Sequence, residues 1–243
     1  MNKQVIVPYK TSNKGKSAQV EKMFNDISKN YDFLNRLITF GMDRKWRNNV
    51  LELVKKSNPE NIIDVATGTG DMAILFSKTN AKSIVSVDIS KGMLEVANKK
   101  IMKENLQKRI TTELSNAENL SFKDSTFDVA SVIYGIRNFE NLSNGLSEIH
   151  RVLNKNGIIV ILETSQPTNR FLRAFYLLYT RILMPCIAKI VSKDKYAYQY
   201  LSKSAINFPY GSELKTIIQN AGFKSVSLYP QFFGASTIYY AEK

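Results

Sequence analysis

The 243-residue sequence predicts an α/β protein, a mainly parallel sheet with helices on both faces. Three observations carry this. Short apolar runs alternate with helical stretches from residue 59 onward. The runs are apolar on both faces, as strands buried between two helical layers are. A glycine-rich turn, Asp64-Val65-Ala66-Thr67-Gly68-Thr69-Gly70-Asp71, joins the first run to a helix.

Taken in order, residues 17–56 predict two or three helices, with Met23, Ile27, Phe33, Leu37 and Ile38 near helical spacing and Pro59 ending them. Strands are predicted at 61–66, 83–88, 110–115, 127–133 and 157–163, with helices at 71–79, 91–105 and 141–153. A basic, aromatic segment, 168–206, follows the fifth strand. A helix at 211–221, ended by Gly222, and strands near 223–229 and 235–241 complete seven strands. The chain divides into an N-terminal helical extension, 1–58, and a sheet domain, 59–243, with 168–208 inserted as a lid.

With 44% hydrophobic and 23% charged residues, the composition fits a globular protein and excludes disordered or collagen-like chains. One cysteine, Cys186, cannot form an internal disulfide, which suits a reducing cytoplasm. One cysteine and one histidine leave no ligand cluster for zinc or iron, so no metal is expected. The N-terminus lacks the apolar stretch of a secretory signal. Residues 171–191 are the most membrane-like, but Arg173, Arg181 and Lys189 interrupt them and Pro185 falls inside, so an amphipathic helix is expected rather than a span.

The net charge of +13 is unevenly placed. Residues 1–50 carry +6, 51–169 are neutral, 170–203 carry +6, and the remainder +1. A neutral module with basic attachments argues against a uniformly nucleic-acid-binding chain and for docking on an anionic surface.

Gly68 and Gly70 permit a tight turn and let a ligand approach the backbone. Asp88 ends the second strand twenty residues after Gly68, where a carboxylate can accept both ribose hydroxyls. Gly68-x-Gly70-x-x-Ala73 also fits a dinucleotide fingerprint, so NAD competes with S-adenosylmethionine. Asp64 and Asp71 favour the latter, because a pyrophosphate beside them meets repulsion of about 1–4 kcal/mol per close pair. S-adenosylmethionine has an ammonium and a sulfonium and no phosphate. Asn116-Ala117, after the third strand, suits its adenine edge. The expected cofactor residues are Asp64, Gly68, Thr69, Gly70, Asp88, Asn116 and Ala117.

Together these residues resemble the class I, Rossmann-like methyltransferases. The run from Tyr31 to Trp46 (YDFLNRLITFGMDRKW) resembles the signature of the ubiquinone/menaquinone biosynthesis C-methyltransferases. Tyr134-Gly135-Ile136-Arg137-Asn138, Tyr198-Gln199-Tyr200-Leu201 and Phe208-Pro209 match the same family, covering nearly the whole chain. One departure is Asn154-Lys155-Asn156-Gly157, where the family usually has Lys-Pro-Gly-Gly. Asn tolerates left-handed backbone, so the turn is expected to persist.

The resemblance implies methyl transfer from S-adenosylmethionine to a ring carbon of a polyprenylated quinol, demethylmenaquinol to menaquinol, with a ubiquinone-type benzoquinol precursor or another small lipophilic acceptor as the alternative. It leaves room for a homodimer, and implies a cytoplasmic enzyme peripheral on the inner face of the membrane. Arg137 and Asn138 follow the fourth strand at the carboxyl edge, where doubly wound sheets bind ligands. Arg137 is too basic to act as a base but can stabilise a phenolate or orient a water. Asn138 can bond the other ring oxygen, and Tyr31 can close over the same place. His150 is assigned a structural role. The aromatic residues of 168–208 are either packing or a lid over a prenyl tail.

Three other functions compete. RNA amino-methyltransferases carry Asp/Asn-Pro-Pro-aromatic after strand four, and Tyr134-Gly135-Ile136-Arg137 is not that. A nicotinamide-dependent reductase would bind NADH more tightly than S-adenosylmethionine. A non-catalytic S-adenosylmethionine-binding protein would methylate no quinol.

Overall fold

The computed structural model describes residues 6–180 and 195–243. Cys186, Arg181, Pro185, Lys189 and the C-terminal half of the amphipathic stretch lie outside the described residues.

The extension forms α1 (Lys16–Ile27), a 3-10 turn (Ser28–Asn30), α2 (Tyr31–Ile38) and α3 (Met42–Lys55). The domain continues with β1 (Asn61–Val65), α4 (Asp71–Phe76), β2 (Ser83–Asp88), α5 (Lys91–Lys103), β3 (Ile110–Leu114), β4 (Phe127–Ile133), α6 (Leu142–Val152) and β5 (Leu153–Thr164). Then come α7 (Arg170–Leu178), α8 (Lys195–Asn207), α9 (Ser212–Asn220), β6 (Lys224–Gln231) and β7 (Ser236–Glu242). The seven strands lie in the order β3-β2-β1-β4-β5-β7-β6. All neighbours pair in parallel except β7, antiparallel to β5 and β6. Order reverses at β1, so the β1–β4 boundary opens a crevice at the carboxyl edge.

Two apolar clusters sandwich the sheet. Ile63, Val65, Val132, Ile159 and Ile161 face α6 and α9 with Leu146, Ile149 and Leu214. Ile62, Ile84, Val129, Val160 and Leu162 face the other way, toward Trp46, Val50, Met72 and Phe76. This two-faced burial is why the strands read as continuous apolar runs. A third cluster joins α1 and α2 to α8, with Val20, Met23, Leu34, Tyr198 and Leu201 buried together.

Two local expectations differ. Strand β5 begins at Leu153 rather than residue 157, so Asn154–Gly157 forms an irregularity within it, where Asn156 takes the positive φ expected of the turn. Leu153 pairs with Phe127 and Ile158 with Val129, so the extra residues bulge, with Asn156 at φ 122°. The helix expected at 71–79 stops at Phe76.

Candidate active site

The ends of β1 and β4 set the site. Both chains leave the sheet through non-glycine residues in left-handed backbone, Ala66 at φ 55° and Tyr134 at φ 56°. Such conformations cost energy and persist where the surroundings enforce them. Gly135 lets the two turns touch: a Cβ on it would lie 2.6 Å from the Ala66 Cβ.

The smaller and more polar of two cavities, with Asp88, Ser115, Asn116 and Asn138 set among apolar neighbours, lies over this crevice. Gly68, Asp88, Asn116 and Ala117 line its floor, Gly135 and Asn138 its side, and Ser17, Val20, Phe24 and Tyr31 of the extension its roof. Asp88 is buried; Oδ2 accepts the Gly68 N–H and Oδ1 the Ser90 N–H, each at 2.8 Å. Burial lifts its carboxyl to about 6, with nearby Asp64 adding to the rise against the backbone N–H groups of Ser90, Gly68 and Ile89. Each oxygen keeps a lone pair for a further donor. Gly68 has open space where a side chain would be, and the buried Ser115 hydroxyl, also in the lining, has no partner among the described residues. An open cradle, an acceptor carboxylate and an unpaired hydroxyl fit a ribose-bearing ligand that presents donors.

Three of the expected cofactor residues do not line this cavity. Asp64 is buried beneath the loop, accepting from Thr67 Oγ1 at 2.6 Å and from Ser131 Oγ. Burial lifts it to about 6 as well. Thr69 is buried and donates to Asp32 Oδ1 at 2.6 Å, which ties the loop to α2. Gly70, at φ 79°, starts α4 and packs against Ala97, 3.0 Å from where its Cβ would be. These residues shape the loop from behind. Asp71 also turns away: burial alone would raise its carboxyl, but Lys100 at 2.5 Å outweighs this and holds it below the ordinary value.

A second, larger cavity of about 440 Å³ lies on the other side of Tyr31 and Tyr134, which line both. Its wall is mostly apolar, with Trp46 and Met42 from α3, Phe175 and Tyr176 from α7, and Phe232 and Phe233 between β6 and β7. Arg137 lines this cavity and Asn138 the polar one. Tyr200 OH donates to Asn138 Oδ1 at 3.2 Å. The structure thus brings Tyr31, Arg137 and Asn138 to one junction. Burial pushes the phenols of Tyr134, Tyr176 and Tyr200 up, so at neutral pH they are donors and not bases.

Contacts missed by the sequence reading position these groups. Glu163 at the end of β5 pairs with Arg137 at 2.8 Å, both buried. The signal was present: an acid closing the apolar run Gly157–Leu162. Lys100 bridges Asp32 and Asp71, each at 2.5 Å, and Lys16 Nζ donates to the carbonyls of Arg137 (3.0 Å) and Phe139 (2.6 Å). No local pattern announces either. His150 packs edge-on to Phe223 at 5.1 Å, lining neither cavity.

A family model described as the ubiE/COQ5 methyltransferase family matches residues 12–243. The demethylmenaquinone methyltransferase of Bacteroides fragilis is 41% identical over 239 residues, covering 98% of this chain and 97% of that one. A ubiquinone/menaquinone biosynthesis C-methyltransferase of Geobacter sulfurreducens is 40% identical over 240 residues, covering 98% and 93%. Among solved structures, an S-adenosylmethionine-dependent methyltransferase of Thermotoga maritima aligns with TM-score 0.62 at 21% identity, covering 92% and 99%. One of Methanococcus maripaludis aligns with TM-score 0.58 at 18% identity, covering 97% and 96%. The structural likenesses bear on the fold alone, which is that of the class I methyltransferases.

Proposed function

The chain belongs to the ubiE/COQ5 methyltransferase family, and from that premise we propose that it methylates a ring carbon of a polyprenylated quinol, converting demethylmenaquinol to menaquinol with S-adenosylmethionine as donor. One observation carries the reading. A more polar cavity and a strongly apolar one meet at Tyr31 and Tyr134, with Asn138 on one side and Arg137 on the other.

S-adenosylmethionine supplies an electrophilic methyl group on a positive sulfonium. Asp88 would accept the ribose hydroxyls, Asn116 and Ala117 would meet the adenine, and Gly68 would let the ligand reach the backbone. Asp64, Thr69 and Gly70 serve by holding the loop. A quinol carbon becomes nucleophilic when the adjacent hydroxyl gives up its proton, because oxygen charge delocalises into the ring; as that carbon took the methyl group the S–CH3 bond would break to release S-adenosylhomocysteine, and the carbon's own hydrogen would leave as a proton to restore the aromatic ring. Arg137 would stabilise that charge or orient the water that takes the proton; Asn138 would bond the second ring oxygen. Tyr31, at the junction, would hold the ring against the methyl group. The apolar walls exclude bulk water, apart from a water held by Arg137, which favours a step that cancels charge.

The proposal extends to location. Among the described residues no helix is long and apolar enough to cross a membrane. Phe40, Phe175, Phe232 and Phe233 line the large cavity while largely exposed, and Arg36, Arg44, Lys45, Arg170 and Arg173 are exposed beside them in sequence. An anionic leaflet attracts such cations by ~1 kcal/mol each, and the aromatic rim would enter its interface. Residues 6–58 of the extension would then roof the cofactor, and the described residues 168–180 and 195–208 would cover the prenyl tail.

The test is incubation with labelled S-adenosylmethionine and demethylmenaquinol, followed by mass spectrometry. Label on a ring carbon supports the reading. Label on oxygen, preference for a benzoquinol, or no product overturns it.

A further inference from the structure

Glu163 is a buried acid for which the mechanism above has no use. It stands near the carboxyl end of β5, paired with Thr237 of β7, and has no exposed surface. Its Oε1 takes all of its donors: Arg137 Nη1 at 2.8 Å, Thr164 N at 2.6 Å and Thr164 Oγ1 at 3.0 Å. Its Oε2 is buried without a hydrogen-bond partner. The guanidinium is engaged just as unevenly. Nη1 serves both Glu163 and the Tyr134 carbonyl at 2.8 Å, while Nε is buried and unpaired.

An ion pair shaped for stability alone would close the guanidinium fork on both carboxylate oxygens. This one is held at a single nitrogen, and buried polar atoms left unpaired call for an explanation. The one-sided grip leaves Nε and Nη2 without a hydrogen-bond partner among the described residues, on a residue that lines the apolar cavity. Glu163 lines neither cavity and so does not itself meet an acceptor. It is mounted in the middle of the sheet, between β4 and β7, where backbone motion is least.

We propose that Glu163 is the positioning residue for Arg137: from a rigid strand it fixes the guanidinium by Nη1, so that the opposite edge faces the quinol oxygen where charge develops. Without that anchor, Arg137 would turn its charge toward solvent or the Tyr134 carbonyl alone. The inference rests on the function proposed above.

A double-mutant cycle on the full chain, with S-adenosylmethionine and demethylmenaquinol, tests it. Glu163→Gln keeps the shape and removes the charge. It is expected to lower kcat at least about tenfold, with the quinol KM and cofactor Kd each within about twofold. In an Arg137→Ala background the same change is expected to cost less than about twofold, since its effect passes through the guanidinium. Glu163→Asp, which retains the charge on a shorter stem, should recover part of the loss; if Glu163→Gln fails to fold, the cycle is run with this variant instead. Equal losses in both backgrounds, a loss in KM alone, or wild-type kcat in the single variant would overturn the proposal. Absence of turnover in the wild type would take the methylation reading down with it, whereas wild-type turnover with an additive cycle removes only the role of Glu163.

Discussion

Lowering the pH from 7.5 to 5.0 is expected to weaken cofactor binding through Asp88. Its carboxyl is buried in the floor of the polar cavity and titrates at about 6. At pH 7.5 it is about 97% ionised and at pH 5.0 about 9%. Replacing a charged acceptor of two hydroxyls by a neutral one costs about 1–3 kcal/mol, or roughly 5- to 150-fold. Weighting by the two populations, S-adenosylmethionine affinity falls about four- to tenfold between these pH values. The ligand-free protein runs the other way. With its folded value raised from the unfolded 3.8 to about 6, Asp88 contributes stability that is fully present below 3.8 and is lost as the pH rises through about 6. Calorimetric titration at both pH values, on wild type and Asp88→Ala, measures the effect. The variant should bind about 5- to 150-fold more weakly at pH 7.5 and with a shallower pH dependence. Equal wild-type affinity at the two pH values, or unchanged affinity in a folded variant, would refute the reasoning.

Other perturbations separate the remaining groups. Arg137→Ala should keep cofactor affinity within about twofold and lower turnover at least about tenfold, as expected of a group proposed to act in the transition state; stopped-time assays and calorimetry check the pair. Lys100→Met removes the cation shared by Asp32 and Asp71, loosening α2 from the loop. It should speed cofactor release in stopped flow while lowering stability by no more than about 1 kcal/mol, since all three side chains are partly exposed. Gly145→Ala puts a Cβ 2.4 Å from Phe139 Cδ2 and should lower stability by about 1–3 kcal/mol, read by thermal denaturation. Co-sedimentation with anionic vesicles should occur at low salt and weaken at 1 M, where screening shortens to about 3 Å; protein left in the supernatant at low salt would remove the membrane contact.

Much of the sheet was legible because parallel strands covered on both faces must be apolar throughout, so residues 61–66, 83–88 and 127–133 announce themselves. The loop was legible too, since Gly68 and Asp88 sit at fixed places relative to strand ends. The direction each side chain takes was not. Asp64, Thr69 and Asp71 belong to the right motif, yet partners distant in sequence draw them inward or aside: Ser131, Asp32 and Lys100. The irregularity at Asn154–Gly157 was hidden because it depends on the offset between β4 and β5, a property of two strands together. Glu163 needed the same knowledge: its meaning depends on Arg137, 26 residues earlier. The resemblance placed Tyr31, Arg137 and Asn138 near one another, but not that Tyr31 and Tyr134 divide a polar cavity from an apolar one.

The central claim is that donor and acceptor occupy separate cavities and meet at Tyr31 and Tyr134. A crystal structure with S-adenosylhomocysteine and menaquinol tests it most directly. The account expects the ribose on Asp88, the sulfur directed at the junction, the quinol ring beside Arg137 and Asn138, and the prenyl tail along Trp46, Tyr176 and Phe232. A quinol ring bound away from Arg137, or a tail lying in the polar cavity under the N-terminal helices, would contradict it.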